Sequence, residues 1–460
     1  MIDKQQNPAQ DTHVSSSSEG EPLFLTPLIE ECQYEKARNE STVNYFKQFG
    51  IKADAHSGYI TVNKTTNSSL FFLLIEAEVN ASSAPLMLWT QGGPGLSALF
   101  GLFLQNGPLG FNATLGLERR LLTIQNHVNI LYLDAPVGAG FSFTDDPSGY
   151  PKRLEDVTRD MIEFLAQFLK VFEKYQNREF YAAGDSYAAR YSVALAHELL
   201  TSTHEDVPLK FEGVIGGVGF LAPIFYLANS SDFLFQASML NETGRSEFKK
   251  RFQHMEYVAF SQGNFSYAVQ MLLFTIFAYP PEYPKTLFQE LTLYNDHASP
   301  LHTERPFVMK YCVGFVNSTS FKTAIHAGAN AVIEYANENL IYTFGGDWLI
   351  DIRVKIEYVL ENIRVLFYTG QLDALFPSSN LLPYFETLNW THAQAYQKAK
   401  RLPWLPYEKY YGAAGFTKSA GNFTSAMILG MSHYAGFDKP TEAYYLMLQF
   451  FNRSIAFSSE

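Results

Sequence analysis

A chain of 460 residues, 47% apolar and 17% charged, is long enough for one large core carrying an insertion. Its formal net charge of −12, with no block of basic residues, argues against a nucleic-acid-binding surface. The longest apolar run, 268–279, is too short to cross a bilayer, so no membrane partner is expected. Aromatic residues make up 15% of the chain, which suits deep apolar pockets or a bulky core equally well.

In chain order, residues 1–22 are polar, include a serine run and lack an apolar stretch. They read as a disordered leader in which no signal peptide is visible. Tyr59–Val62 and Leu70–Ile75, separated by Asn, Thr and Ser, predict a hairpin. Leu86–Trp89 predicts a short buried strand ending in the tight loop Gln91-Gly-Gly-Pro-Gly95. Asn129–Asp134 predicts the next strand, and Leu154–Phe172 has the apolar spacing of a helix, with acids early and a lysine late. Phe180–Ala183 then runs through Gly184 to Ser186, and Tyr187–Leu200 follows as a helix. This is the pattern of a nucleophile elbow, a sharp strand-to-helix turn that lifts a serine hydroxyl above a sheet. Phe211–Gly216 predicts another strand. The pattern is lost over 222–311, where prolines cluster, and this stretch reads as an inserted cap. Strand–helix alternation resumes with Val365–Tyr368 and Ser425–Gly430, and Thr441–Phe451 predicts a final helix. The expected architecture is a mostly parallel α/β sheet, with core segments 23–221 and 312–460 on either side of the cap.

A serine hydroxyl needs a general base, and the base needs an orienting carboxylate. In doubly wound hydrolases these groups follow strand ends in the order Ser, Asp, His. Ser186, Asp373 and His433 fit that order and are the expected catalytic residues. The oxyanion hole is expected from the backbone N–H groups of Tyr187, directly after the serine, and Gly93 in the glycine-rich loop. No metal ligands and no cofactor are called for.

The acceptor pattern Asn-x-Ser/Thr occurs at Asn39, Asn63, Asn67, Asn80, Asn112, Asn229, Asn241, Asn264, Asn317, Asn389, Asn422 and Asn452. Chance would supply roughly four, so the chain reads as a glycoprotein of the secretory route. The two cysteines, Cys32 and Cys312, leave a bridge open.

Several stretches together resemble the serine carboxypeptidases, most of all their vitellogenic-like members. These are Trp89-Thr-Gln-Gly-Gly-Pro-Gly-Leu-Ser97, the run from Asn129 to Asp146, Phe180-Tyr-Ala-Ala-Gly-Asp-Ser-Tyr187, Ala324-Ile-His-Ala-Gly328, Tyr368-Thr-Gly-Gln-Leu-Asp373 and His433-Tyr-Ala-Gly-Phe-Asp-Lys-Pro440. The resemblance implies an α/β-hydrolase core with a cap, release of C-terminal residues from peptides at acid pH through an acyl-enzyme, and a secreted or lysosomal/vacuolar location. It leaves a homodimer open. By the same match Ser186 is the nucleophile, His433 the base, Asp373 its orienter, and Gly93 and Tyr187 the oxyanion hole.

Departures from the family pattern include Ala189 and Ser432 where the family has glycine, Gly436 where it has proline and the loop Val218–Ala222; the most telling fall in the set that binds the substrate's terminal carboxylate, here Gln91, Gln105 and Asp185. The family places Glu where this chain has Gln105 and Asp185. Two adjacent carboxyls share a proton at mildly acid pH, whereas Gln105 is a neutral amide at every pH. Asp185 is one methylene shorter than Glu, which puts its reach in doubt. With these two departures, the expected carboxypeptidase has a weakened acid preference and a carboxylate recognition that rests more on Gln91 and Gln105. The alternatives are a carboxypeptidase-like acyltransferase, since Asp before the serine also occurs there, and a non-catalytic glycoprotein on the hydrolase scaffold.

Overall fold

A computed structural model describes residues 20–333 and 337–453. The leader expected over 1–22 lies, up to residue 19, outside the described residues. Among the described residues, twelve strands follow in chain order: β1 Ala55–Asn63, β2 Ser68–Ile75, β3 Leu86–Thr90, β4 Leu109–Phe111, β5 Leu117–Arg119, β6 Asn129–Leu133, β7 Glu179–Asp185, β8 Lys210–Gly217, β9 Arg364–Gly370, β10 Leu402–Trp404, β11 Gly415–Ala420 and β12 Phe423–Ile428. Ten of them form one sheet in the order β1-β2-β6-β3-β7-β8-β9-β12-β11-β10, and β4 pairs only with β5. The run β6-β3-β7-β8-β9-β12 is parallel throughout. The β1–β2 hairpin closes one side antiparallel to β6, and β11 and β10 close the other antiparallel to β12.

Alternation along the central strands builds two cores. Leu86, Leu88, Leu131, Leu133, Phe180, Ala182, Val214, Val365 and Phe367 face one side, where the helices Leu154–Val171 and Ala188–Thr201 cover them. Met87, Trp89, Ile130, Tyr132, Tyr181, Ala183, Ile215, Leu366 and Tyr368 face the other, covered by Phe307–Val316 and Pro440–Phe451. Burial on both faces is why these strands read as continuous apolar runs rather than alternating ones. Parallel strands place their C-terminal ends along one edge, so the turns after β3, β7, β9 and β12 open on a common rim.

Between Gly217 and Arg364 the chain leaves the sheet for a helical excursion that includes Glu242–Glu256, Phe265–Ile276, Phe307–Val316 and Arg353–Asn362. The helix Phe307–Val316 runs across residue 311, and its Met309, Cys312 and Val316 join the second core. Cys312 is buried and Cys32 exposed, and both thiols are free, so the bridge left open by sequence does not form. No helix among the described residues is long and apolar enough to cross a membrane.

Candidate active site

Strand β7 delivers the elbow. Ser186 has φ +59°, a left-handed conformation that non-glycine residues rarely adopt, and its N–H is held by Gly217 O at 2.8 Å. The turn closes because its neighbours are small. A Cβ on Gly184 would lie 2.5 Å from Ala188 Cβ and 2.8 Å from Thr90 O. Ala189, where the family has glycine, fits because Gly216 and Gly219 face it: a Cβ on either would come within 3.0 Å of its methyl group.

His433 follows β12, and its Nε2 stands 3.0 Å from Ser186 Oγ. Its Nδ1 lies 2.9 Å from Asp373 Oδ2, in the turn after β9. Asp373 is fully buried, and its Oδ1 accepts from Leu375 N–H at 3.0 Å and Phe376 N–H at 2.8 Å. That leaves Oδ2 to face the imidazole. An acceptor-only carboxylate holds the proton on Nδ1 and leaves Nε2 free to accept from the serine. The Phe376 ring packs edge-on against His433 at 5.2 Å.

The glycine-rich loop after β3 passes directly over the elbow. A Cβ on Gly92 would lie 2.7 Å from Asp185 O and 2.8 Å from Tyr187 N, and Gly93 has φ +122°. Among the described residues, neither Gly93 N–H nor Tyr187 N–H donates to a protein group. Two unspent donors beside a serine are what a developing oxyanion needs. The loop is anchored by Asp134, whose Oδ1 accepts from Ser97 Oγ at 2.8 Å and Ala98 N–H at 2.7 Å, and whose Oδ2 accepts from Phe141 N–H at 2.8 Å. Gly92→Ala is expected to push loop and elbow apart and to lower kcat about 10- to 100-fold while KM stays nearly constant, as steady-state kinetics on a blocked dipeptide would report.

Behind the elbow, Asp185 is buried, and its Oδ2 accepts from Gln105 Nε2 at 2.9 Å. The shorter side chain therefore does reach Gln105. Asp185 Oδ1 accepts from Tyr368 OH at 2.8 Å. Burial pushes the Asp185 carboxyl up to about 6, against the opposing pull of Tyr368, His433 and Gln105. Gln105 sits on the wide helical turn Gly101–Asn106, and among the described residues its buried Oε1 has no partner. Gln91 does not bond to either: its Oε1 accepts from Trp89 Nε1 at 3.3 Å. The indole lies so close to the wide turn that a Cβ on Gly101 would come within 2.2 Å of Trp89 Nε1.

Sequence reading missed the groups that brace the site. Ala298 O, from the excursion, accepts from His433 N–H at 3.2 Å and Ala374 N–H at 3.3 Å. Tyr434 OH donates to Asp296 Oδ1 at 2.7 Å. A backbone carbonyl carries no side-chain signal, and Asp296 sits among polar residues that read as loop. Tyr368 was visible as the end of a strand and the start of a family stretch, with nothing to mark its bond to Asp185.

Sheet order, elbow and rim together define the α/β-hydrolase class. The family described as Serine carboxypeptidase matches residues 46–453, and the chain belongs to that family of peptide hydrolases. It is 33% identical over 443 residues to a probable serine carboxypeptidase CPVL of Homo sapiens, covering 94% of this chain and 90% of that one. It is 30% identical to the venom serine carboxypeptidase of Apis mellifera (94% and 91% covered) and 26% identical to the vitellogenic carboxypeptidase of Aedes aegypti (95% and 91%). Among solved structures, Kex1(delta)p, a prohormone-processing carboxypeptidase from Saccharomyces cerevisiae, matches with a TM-score of 0.74 at 17% identity, over 91% of this chain and 97% of that one. That likeness speaks for the fold.

Proposed function

We propose that the protein releases amino acids from peptide C-termini through an acyl-enzyme on Ser186. The observation that carries this reading is the hydrogen-bonded chain from Ser186 Oγ through His433 to Asp373, with spacings of 3.0 and 2.9 Å. In the acylation step Ser186 Oγ attacks the last peptide carbonyl while its proton passes to His433 Nε2. Asp373 stabilises the imidazolium that forms. The N–H groups of Gly93 and Tyr187 take the oxyanion, and collapse of the tetrahedral intermediate transfers the His433 proton to the departing amine. Water, deprotonated by the same histidine, then releases the shortened peptide.

Exopeptidase selectivity is assigned to Gln105, Asp185 and Gln91. Gln105 and the protonated form of Asp185 can donate to a terminal carboxylate, and the Gln91 amide lies at the start of the same loop that carries Gly93. What supports this is the buried Asp185–Gln105 pair, on the residue adjoining the nucleophile. The twelve Asn-x-Ser/Thr asparagines are all at least partly exposed, which supports a glycoprotein of the secretory route, secreted or lysosomal.

The test compares a blocked dipeptide bearing a free C-terminus with its C-terminal amide. At pH 5 the free acid is expected to be cleaved with a kcat/KM at least about 100-fold higher, since the amide leaves carboxylate-directed donors unpaired. Equal rates would leave a serine hydrolase without C-terminal recognition, and addition of amine or alcohol acceptors would show whether transfer competes with hydrolysis.

A further inference from the structure

We propose that Asp347 is a positioning residue for the oxyanion hole, acting from the helical excursion through the side chain of Tyr187. The proposal rests on the reading of Tyr187 N–H as an oxyanion donor. Tyr187 is the residue after the nucleophile, so whatever fixes its side chain also fixes where its N–H points. Its OH donates to Asp347 Oδ2 at 2.5 Å, and both residues are buried. Burial and the adjacent carboxylate hold the phenol well above its ordinary range, which keeps the donor proton in place.

Asp347 is itself held from three sides. Oδ2 also accepts from Arg190 on the elbow helix at 3.1 Å, and Oδ1 accepts from Leu154 N–H, at the start of the helix Leu154–Val171, at 3.1 Å. Arg190 is fully buried and donates further to Asp347 O at 3.0 Å and Ile350 O at 2.9 Å. Its guanidinium lies 4.8 Å from the Phe220 ring centre, and Phe220 N–H donates to Ser186 O at 3.0 Å. The clamp therefore reaches the peptide that joins Ser186 to Tyr187 twice, through the Tyr187 side chain and, by way of Phe220, through the Ser186 carbonyl.

Packing alone does not account for this set. Apolar side chains would fill the same space without taking an ion pair out of water, an exchange that is commonly neutral or stabilising. What the polar set adds is direction: one carboxylate with fixed acceptors reads the angle of the Tyr187 side chain, and a phenylalanine there would not be read at all. The consequence is that the excursion steadies one half of the oxyanion hole, on the elbow, while the core loop at Gly93 carries the other.

Tyr187→Phe and Asp347→Asn are the test, with kcat expressed per active site titrated by a fluorophosphonate probe. Tyr187→Phe keeps the ring and the N–H and removes only the tether. It is expected to lower kcat about tenfold, and Asp347→Asn about 10- to 100-fold, with KM within about twofold of wild type. The double variant should be no slower than the slower single one, because both break one linkage. A purely structural role would lower the titrated fraction and the melting temperature but leave kcat per site unchanged, and that outcome for Tyr187→Phe overturns the proposal even where Asp347→Asn fails to fold. Failure of wild-type protein to label at Ser186 would be a different result, removing the serine mechanism itself and this proposal with it.

Discussion

Asp373→Asn is expected to lower kcat by about 10⁴-fold while the protein folds normally. The reason lies in how the carboxylate is held. Its Oδ1 accepts two backbone N–H groups, from Leu375 and Phe376. An asparagine at this position must keep its carbonyl oxygen on those donors, because turning the amide over would set N–H against N–H in a fully buried site. Its NH₂ group is then forced toward His433 Nδ1. That nitrogen becomes an acceptor, the ring proton moves to Nε2, and Nε2 can no longer accept from Ser186. The substitution thus turns the base off by tautomer rather than by displacement. Ser186→Ala removes the nucleophile outright and is expected to cost about 10⁶-fold in kcat, with Ser186→Ala/His433→Ala no slower than either alone. Single-turnover kinetics, the rate of fluorophosphonate labelling and a thermal melt would decide the matter. A loss under tenfold for Asp373→Asn, with the melt unchanged, would mean that another group orients the imidazole.

How much of this was legible beforehand follows from where the signals sit. The central strands announced themselves because both faces are buried, so Leu86–Thr90, Asn129–Leu133 and Arg364–Gly370 stand out as apolar runs between turn residues. The elbow was legible because Gly184, Ser186 and Ala188 meet steric demands that few residues satisfy. The edge strand Leu402–Trp404 was not, being three residues with a proline at its centre. The wide turn Gly101–Asn106 left no pattern either, since its period matches neither helix nor strand. The resemblance to a family placed Gln105 and Asp185 in one pocket, but their mutual bond is a matter of three dimensions. Least legible were Ala298, Asp296 and Asp347, all in the excursion. Each acts on the site across a large sequence separation, through a backbone carbonyl or a lone acid in a stretch without periodicity.

The carboxylate pocket yields the second large effect, a dependence of KM on one proton. Asp185 titrates near 6 because burial penalises its charged form more than Tyr368 OH and Gln105 Nε2 compensate. On the proposed reading, the protonated acid would donate to a substrate carboxylate below that value, and above it two negative charges would share one buried site. KM for a free-acid dipeptide is therefore expected to rise roughly 10- to 30-fold between pH 5 and pH 7.5, following a single titration, since the neighbour is the neutral Gln105. Asp185→Asn should flatten this rise. Gln105→Glu, by placing a second carboxyl against the first, should steepen it and move it. Stability follows the same proton. The folded value is raised above the unfolded one, so the contribution is full below about 4 and is lost as pH climbs through 6, a change of order 2–3 kcal/mol. Burial also raises Asp134 to about 7 and Asp160 to about 6, which adds to the same trend, so the difference between wild type and Asp185→Asn, not the absolute melting curve, isolates this group. The decisive measurement is KM across pH for wild type, Asp185→Asn and Gln105→Glu. Three superimposable profiles would remove Asp185 and Gln105 from recognition of the substrate's terminus and leave that role to the Gln91 amide.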